Sequence, residues 1–344
     1  MKFLNYSEST LFLEDIEEPV PKKGQMLVRI EGCGICGSDI GNVFGNSCKP
    51  TSKLGHEVVG ILEKFDSDAN PASFTIGERV FVHHHAPCNE CYFCTKGNET
   101  MCEKFTDSLY PCGISEKIVI PEWIVKSDSI FRLPESISPE EGIMIEPLAC
   151  CIRGWKKVNL LEGDTILIFG IGPIGMINAM LAKIKGARKI FCVDINDYRL
   201  EYNDRLNLGK SFNSKKVKIA NNVPTSSEEF VDMIIIATSD LSVLNDSIKI
   251  IRKGGIILIF GEPQMEMKMD LNIDEIYSKE ISIITTYAAS NKEIMEAIEL
   301  IDKKIINLKK IVTHKFLIKH SKEAIERIFR KKDTLKTMII NPDK

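Results

Sequence analysis

The chain has 344 residues, 44% of them apolar and 27% charged, and carries a net charge of −3. That length suits two domains better than one hydrophobic core, and the near-neutral balance gives no broad electrostatic reason to bind nucleic acid or an acidic membrane. No apolar run is long enough to span a bilayer, and Met1 to Glu18 mixes apolar and acidic residues without a signal-peptide pattern, so a cytoplasmic protein is expected.

Gln25 to Ile30 alternates like a strand, as do Val58 to Lys64 and Arg79 to His83, with Gly60, Gly77 and Pro87 as punctuation. The first third therefore reads as β-rich. Within it, Gly34-Ile-Cys36-Gly-Ser38-Asp39 is followed by Gly55-His56-Glu57, with Cys36 and His56 twenty residues apart. A thiol and an imidazole separated by such a loop can fold onto one metal ion, although each alone could be an ordinary core residue. The His83-His84-His85 run follows a strand and reads as a loop feature rather than a metal site.

Cys88, Cys91, Cys94 and Cys102 crowd four of the eleven cysteines into one polar loop. In a reducing compartment such crowding points to metal rather than disulfides. Four thiolates fill every corner of a tetrahedral Zn²⁺ and leave none for substrate, so a structural zinc is expected. The spacing matches neither common ferredoxin pattern.

The character changes at Ser138-Pro139-Glu140-Glu141, which has a capping Ser, Pro at the first helical position and acids in the first turn. Pro147 disfavours helix at Glu146 and favours a helix start after it. Glu146 thus belongs at a helix N-terminus, where the dipole favours its charge and where it could be a metal ligand or only a cap.

Thr165 to Phe169 is an apolar strand that runs into Gly170-Ile-Gly172-Pro173-Ile174-Gly175, and Ile174 to Lys185 has helical period. Strand, glycine loop and helix together are the context a dinucleotide site requires. Gly170 permits the tight turn, Gly172 lets a pyrophosphate approach, and Gly175 lets helix and strand pack closely. The strand Lys189 to Val193 ends at Asp194, 19 residues past Gly175, where an acid can accept hydrogen bonds from ribose hydroxyls and repel a 2′-phosphate. NAD is expected over NADP, although Arg199 is near enough in sequence to accommodate that phosphate. Val231 to Ala237, Gly255 to Phe260 and Ile281 to Tyr287 complete a set of short apolar strands alternating with helices, which predicts an α/β fold with a doubly wound parallel sheet. Helices are expected over Lys292 to Ile301 and Ser321 to Arg330. The Lys-rich tail from Asp302 to Lys344 reads as the solvated face of packed elements.

In this order the motifs resemble the zinc-containing medium-chain dehydrogenases of the alcohol dehydrogenase superfamily. The similarity is greatest to the polyol branch, which includes sorbitol, threonine and galactitol-phosphate dehydrogenases, and it spans essentially the whole chain. The resemblance implies a GroES-like catalytic domain over 1–147, completed by 288–344, and a Rossmann domain over 148–287, with substrate between them. It implies that Cys36 and His56 bind a catalytic zinc together with Glu146 or Glu57, that Ser38 relays the alcohol proton, and that Asp39 orients His56. Gly170, Gly172, Pro173, Ile174, Gly175, Asp194 and Arg199 would hold the coenzyme. It further implies two zinc ions per chain, NAD, a homodimer or homotetramer, and hydride transfer at the carbinol carbon of a small polyol or sugar alcohol. Threonine-like amino-alcohol chemistry, or a non-catalytic NAD-binding zinc protein, are the alternatives. The chain departs from the family at Cys112-Gly-Ile-Ser-Glu-Lys117, where Gly-Gly-Phe-Ala-Glu-Tyr is usual. Phe44 falls where related enzymes carry substrate-pocket residues.

Overall fold

In a computed structural model the chain forms two compact units, Met1–Cys150 with Ala288–Lys344, and Cys151–Tyr287. The structure describes residues 1–45, 53–66, 74–104, 109–226, 229–331 and 333–341; the end of the Lys-rich tail, 342–344, lies outside the described residues.

The first unit opens with an antiparallel hairpin, β1 (Lys2–Ser7) and β2 (Thr10–Asp15). Its two-residue turn, Glu8-Ser9, has φ of 47° and 62°, the left-handed geometry that matches strand twist. There follow β3 (Met26–Ile35), α1 (Gly37–Phe44), β4 (Glu57–Phe65), β5 (Arg79–Val82), α2 (Tyr92–Thr95), β6 (Lys117–Ile120), α3 (Glu122–Lys126), β7 (Ile130–Arg132) and α4 (Pro139–Gly142). The last starts where the sequence placed it: Glu141 N–H donates to Ser138 Oγ, and Ser138 N–H donates to Glu141 Oε2 at 2.9 Å.

Strand β3 runs five residues further than the expected Gln25–Ile30, through Gly32 and Gly34, to Ile35. The glycines break the apolar alternation without breaking the strand. A Cβ at Gly32 would lie 1.9 Å from Met338 Cε, and one at Gly34 would lie 1.8 Å from Glu57 Oε2. Both positions are vacated for side chains of neighbouring strands.

Helix α5 (Ile145–Lys156) carries the chain into the second unit. There β8 (Thr165–Phe169), α6 (Pro173–Ile184), β9 (Lys189–Asp194), α7 (Asp197–Arg205), β10 (Lys210–Asn213), β11 (Thr225–Ser226), β12 (Glu229–Ile236), α8 (Val243–Ile250), β13 (Ile251–Ile259), α9 (Ile273–Ser278) and β14 (Ser282–Thr285) alternate as expected. The sheet order is β10-β9-β8-β12-β13-β14, parallel throughout, with β11 paired antiparallel to β12. Strand order therefore reverses between β8 and β12, the point where doubly wound sheets bind ligands. Ile166, Leu167 and Ile168 are fully buried, as strands covered on both faces require. Strand β13 begins at Ile251, not at Gly255 as the sequence suggested. Gly254 has φ of 66°, and the ladder to β12 shifts register between Val231 and Met233, so the glycine pair is a bulge inside the strand and not its border.

The C-terminal segment returns to the first unit with α10 (Asn291–Asp302), β15 (Val312–Leu317), α11 (Ser321–Lys331) and β16 (Lys336–Ile340). The completed sheet has the order β15-β16-β3-β4-β5-β7, with β6 also on β3. Its core includes Val28, Ile30, Leu62, Val82, Ile118 and Ile339, each nearly inaccessible to solvent; each such side chain contributes about 1.5–3 kcal/mol before the entropy of ordering it. Among the described residues, no helix is long and apolar enough to cross a membrane.

Candidate active site and metal centres

Among the described residues, two groups of potential metal ligands form in the first unit: Cys36, His56 and Glu57, and Cys88, Cys91, Cys94 and Cys102. Within each group the ligand atoms lie within 4.8 Å of one another.

The first group stands where β3 ends, α1 begins and β4 begins. Cys36 is the N-cap residue of α1. Asp39, in the first turn of that helix, is buried and locks the two segments together. Its Oδ2 accepts the Cys36 N–H at 2.8 Å and its Oδ1 accepts the Gly55 N–H at 2.9 Å. The same Oδ1 lies 3.7 Å from His56 Nδ1. Gly55, with φ of 81°, makes the turn into His56; a Cβ there would lie 2.7 Å from Cys33 Sγ. Ser38 is half-buried in the first turn of α1.

Electrostatics at His56 fit a cation. Burial alone would depress its pKa, but the charges of Asp39, Cys36 and Glu146 outweigh that and push it well above the usual imidazole range. A field that holds a proton there would equally hold a divalent metal. Glu146, in the first turn of α5, is buried and accepts a hydrogen bond from the Cys150 thiol at 3.1 Å. It is not in the compact ligand group, although its charge also acts on Glu57 and Lys336.

Sequence reasoning missed Lys336. From β16 its ammonium forms an ion pair with both oxygens of Glu57; the two residues are 3% and 0% exposed. The pair reaches across β3 at Gly34, whose absent Cβ leaves the space. Burial works against a charged Lys336, yet Glu57, Cys36 and Glu146 hold the proton on it. The histidine run is also less peripheral than a loop feature suggests. His83 and His84 are buried, and the His84 ring centroid lies 4.7 Å from that of His56. Phe44 stacks on Phe329 at 3.9 Å between ring centroids.

The second group sits around α2. Cys88 and Cys94 Sγ are 4.0 Å apart, as are those of Cys91 and Cys102. Tetrahedral zinc with bonds of about 2.3 Å sets its sulfurs about 3.8 Å apart, so the four thiols fit that ion closely. Backbone N–H groups of Cys88 and Cys91 point at Cys102 and Cys88 sulfurs, both at 3.3 Å. Backbone donors at Cys94 and Glu103 bring the Cys91 thiol down to about 6. Among the described residues every cysteine is free of a disulfide.

In the second unit, Gly170 has φ of 88°, and a Cβ on it would lie 2.7 Å from the Ala237 carbonyl; one on Gly175 would lie 1.9 Å from the Gly170 carbonyl. These two glycines serve the turn and the packing of α6 on β8. Gly172, the N-cap of α6, differs, because among the described residues a Cβ there would meet only Arg199, at 3.5 Å. The described residues leave the space over it open, as an approaching phosphate requires. Pro173 and Ile174 open the helix. At the end of β9, Asp194 accepts backbone N–H bonds from Ile171, Ile195 and Asn196 at 2.8, 2.7 and 2.9 Å, and Arg199 Nη1 lies 3.6 Å from its Oδ2.

Comparison with known proteins agrees with this arrangement. The family model of the alcohol dehydrogenase GroES-like domain matches residues 22–129, and that of zinc-binding dehydrogenases matches residues 173–303, together more than half of the chain. The probable D-xylulose reductase A of Emericella nidulans is 27% identical over 342 residues, which cover 95% of this chain and 92% of that one. The sorbitol dehydrogenase of Bacillus subtilis is 27% identical over 335 residues, covering 95% and 93%. The crystal structure of an alcohol dehydrogenase from Escherichia coli CFT073 with NADH matches at a TM-score of 0.86 and 25% identity, covering 99% of both chains. The chain belongs to the zinc-containing medium-chain dehydrogenases of the alcohol dehydrogenase superfamily.

Proposed function

We propose that the chain oxidises a small polyol or sugar alcohol, free or phosphorylated, at one carbinol carbon with NAD, and reduces the matching carbonyl compound in the reverse direction. The observation that carries this reading is the approach of Cys36, His56 and Glu57 to within 4.8 Å beside buried acids. Cys36, His56 and either Glu57 or Glu146 would hold a catalytic zinc, and Cys88, Cys91, Cys94 and Cys102 a structural one. Zinc at the first site supplies a Lewis acid for the substrate oxygen, and the nicotinamide supplies the hydride acceptor. The chain does the rest. Asp39 fixes the orientation of His56 and the position of Cys36. Ser38 takes the hydroxyl proton of the substrate and passes it outward. Asp194 receives the ribose hydroxyls of NAD and disfavours a 2′-phosphate, while Arg199 is drawn to Asp194 itself. A carboxylate in place of a second thiolate makes the donor set harder, which suits a hydrophilic substrate with a neighbouring hydroxyl.

The names of the relatives support the substrate class, since they include a D-xylulose reductase and a sorbitol dehydrogenase. The free thiols suit a reducing cytoplasm. A second copy could pair along β14, the outer strand of its sheet, to form a dimer or half of a tetramer. The test is NADH formation, followed by absorbance, over a panel of polyols, polyol phosphates, amino alcohols and simple alkanols. Polyols, free or phosphorylated, should exceed alkanols of equal size in kcat/KM by at least about tenfold, which is about 1.4 kcal/mol. Preference for alkanols or threonine would contradict the reading.

A further inference from the structure

The antiparallel ladder between β4 and β5 pairs Val58 with Val82 and Val59 with Phe81. Continued two residues beyond its end, that register sets residue 84 opposite residue 56. The side chains follow: His84 and His56 ring centroids are 4.7 Å apart with planes tilted by 42°. His85 braces the far partner, its ring edge-on to His84 at 4.1 Å. His83 pins the backbone just before. Its N–H donates to the Ser129 carbonyl at 2.9 Å, and its Nδ1 bonds Asn291 Oδ1 at 2.8 Å. Asn291, the first residue of α10, is itself held by Nδ2–H bonds to the Ser127 and Asp128 carbonyls at 3.1 and 3.3 Å, and Ser129 Oγ donates to its Oδ1 at 3.1 Å.

Among the described residues only the two groups above bring three potential ligands together, and neither includes His83, His84 or His85.

We propose that His84 is a positioning residue of the catalytic centre: packed on His56 and anchored through His83 and Asn291, its ring fixes the rotamer in which the His56 imidazole meets the metal. The proposal rests on the reading of Cys36 and His56 as ligands of a catalytic metal. A metal-bound imidazole has one nitrogen committed to the ion, so its binding strength depends on what holds the ring plane, and such supports are worth about 10–100-fold in metal affinity or activity. Asp39 supplies an electrostatic support, 3.7 Å from His56 Nδ1, and His84 a packing one.

Cobalt substitution of the full chain tests this. The difference spectrum between the wild-type protein and Cys36→Ser isolates the visible bands of the open site from those of the four-cysteine lobe. His84→Ala should shift those bands and lower kcat about tenfold, with NADH binding and the lobe bands unchanged. His84→Phe, which keeps a flat ring of similar size, should restore the wild-type spectrum and most of kcat. Wild-type bands and kcat in His84→Ala would overturn the proposal, as would His84→Phe behaving like His84→Ala. Should His84→Ala fail to fold, His84→Leu, which fills space without a flat ring, takes its place: shifted open-site bands uphold the packing role and wild-type bands overturn it. A wild-type protein whose cobalt spectrum is unaffected by Cys36→Ser would instead remove the metal reading, and the proposal with it.

Discussion

The four-cysteine lobe and the Cys36–His56 centre use overlapping donor types for opposite ends. The lobe gathers its four cysteines from fifteen consecutive residues, Cys88 to Cys102, around one short helix, and among the described residues those four thiols alone make up the group, spaced for a tetrahedral ion. The centre gathers Cys36, Asp39, His56, Glu57, Glu146 and Lys336 from both ends of the first unit, and it crowds carboxylates that Lys336 offsets in part and that the proposed metal would offset further. A closed site needs only local geometry. An open one must hold its donors in place while leaving one corner unfilled, so it depends on a second layer of supports drawn from distant strands.

Removing one donor should separate the two most sharply. Cys36→Ser is expected to take turnover to background while NADH binding, read by fluorescence, and the fold, read by circular dichroism, survive; measurable wild-type turnover would contradict the assignment of the centre. Next in size, Lys336→Met leaves Glu57 buried without its partner and should cost about 3–5 kcal/mol in denaturant unfolding. The double change Lys336→Met with Glu57→Gln should recover most of that loss, and failure to recover it would mean that Lys336 stabilises through something other than Glu57. In the second unit, Asp194→Gly should raise the dissociation constant of NAD about tenfold, about 1.4 kcal/mol, and narrow the gap to NADP; an unchanged preference would count against Asp194 as the discriminating acid.

The smallest effect belongs to a surface ion pair that touches neither cluster's ligands. Lys117 and Lys64 bring the Glu18 carboxyl down to about 2 from an ordinary 4.5. A depressed folded-state pKa contributes stability above the unfolded value that is lost as pH falls through the folded one, so the window is about 4.5 to 2. Because Glu18 is 39% exposed, solvent screening limits the contribution to about 1 kcal/mol or less. Glu18→Gln should flatten the acid limb of the stability curve slightly, and a larger loss at neutral pH would show that Glu18 does more than pair.

What could be read from the sequence divides along the same line. The cysteine lobe, the glycine loop and Asp194 are patterns of spacing within one short segment, and spacing survives without coordinates. The capping of α4 by Ser138 was legible for the same reason. Lys336 was not, because it lies 279 residues from Glu57 and reaches it only through the insertion of β16 beside β3 and the gap at Gly34. His84 was hidden similarly: its meaning depends on the register of β4 against β5, which no local pattern states. The extension of β3 and the early start of β13 were missed because glycines read as borders in a sequence, whereas here they admit neighbouring side chains or a bulge.

The most direct test of the account is a count of zinc per chain in the purified protein and in two variants. Two zinc ions in the wild type, one in Cys36→Ser and a different one in Cys88→Ser, distinguished by retained or lost turnover in the folded fraction, are the predicted result. A single zinc ion in the wild type that Cys88→Ser removes and Cys36→Ser leaves in place would contradict it.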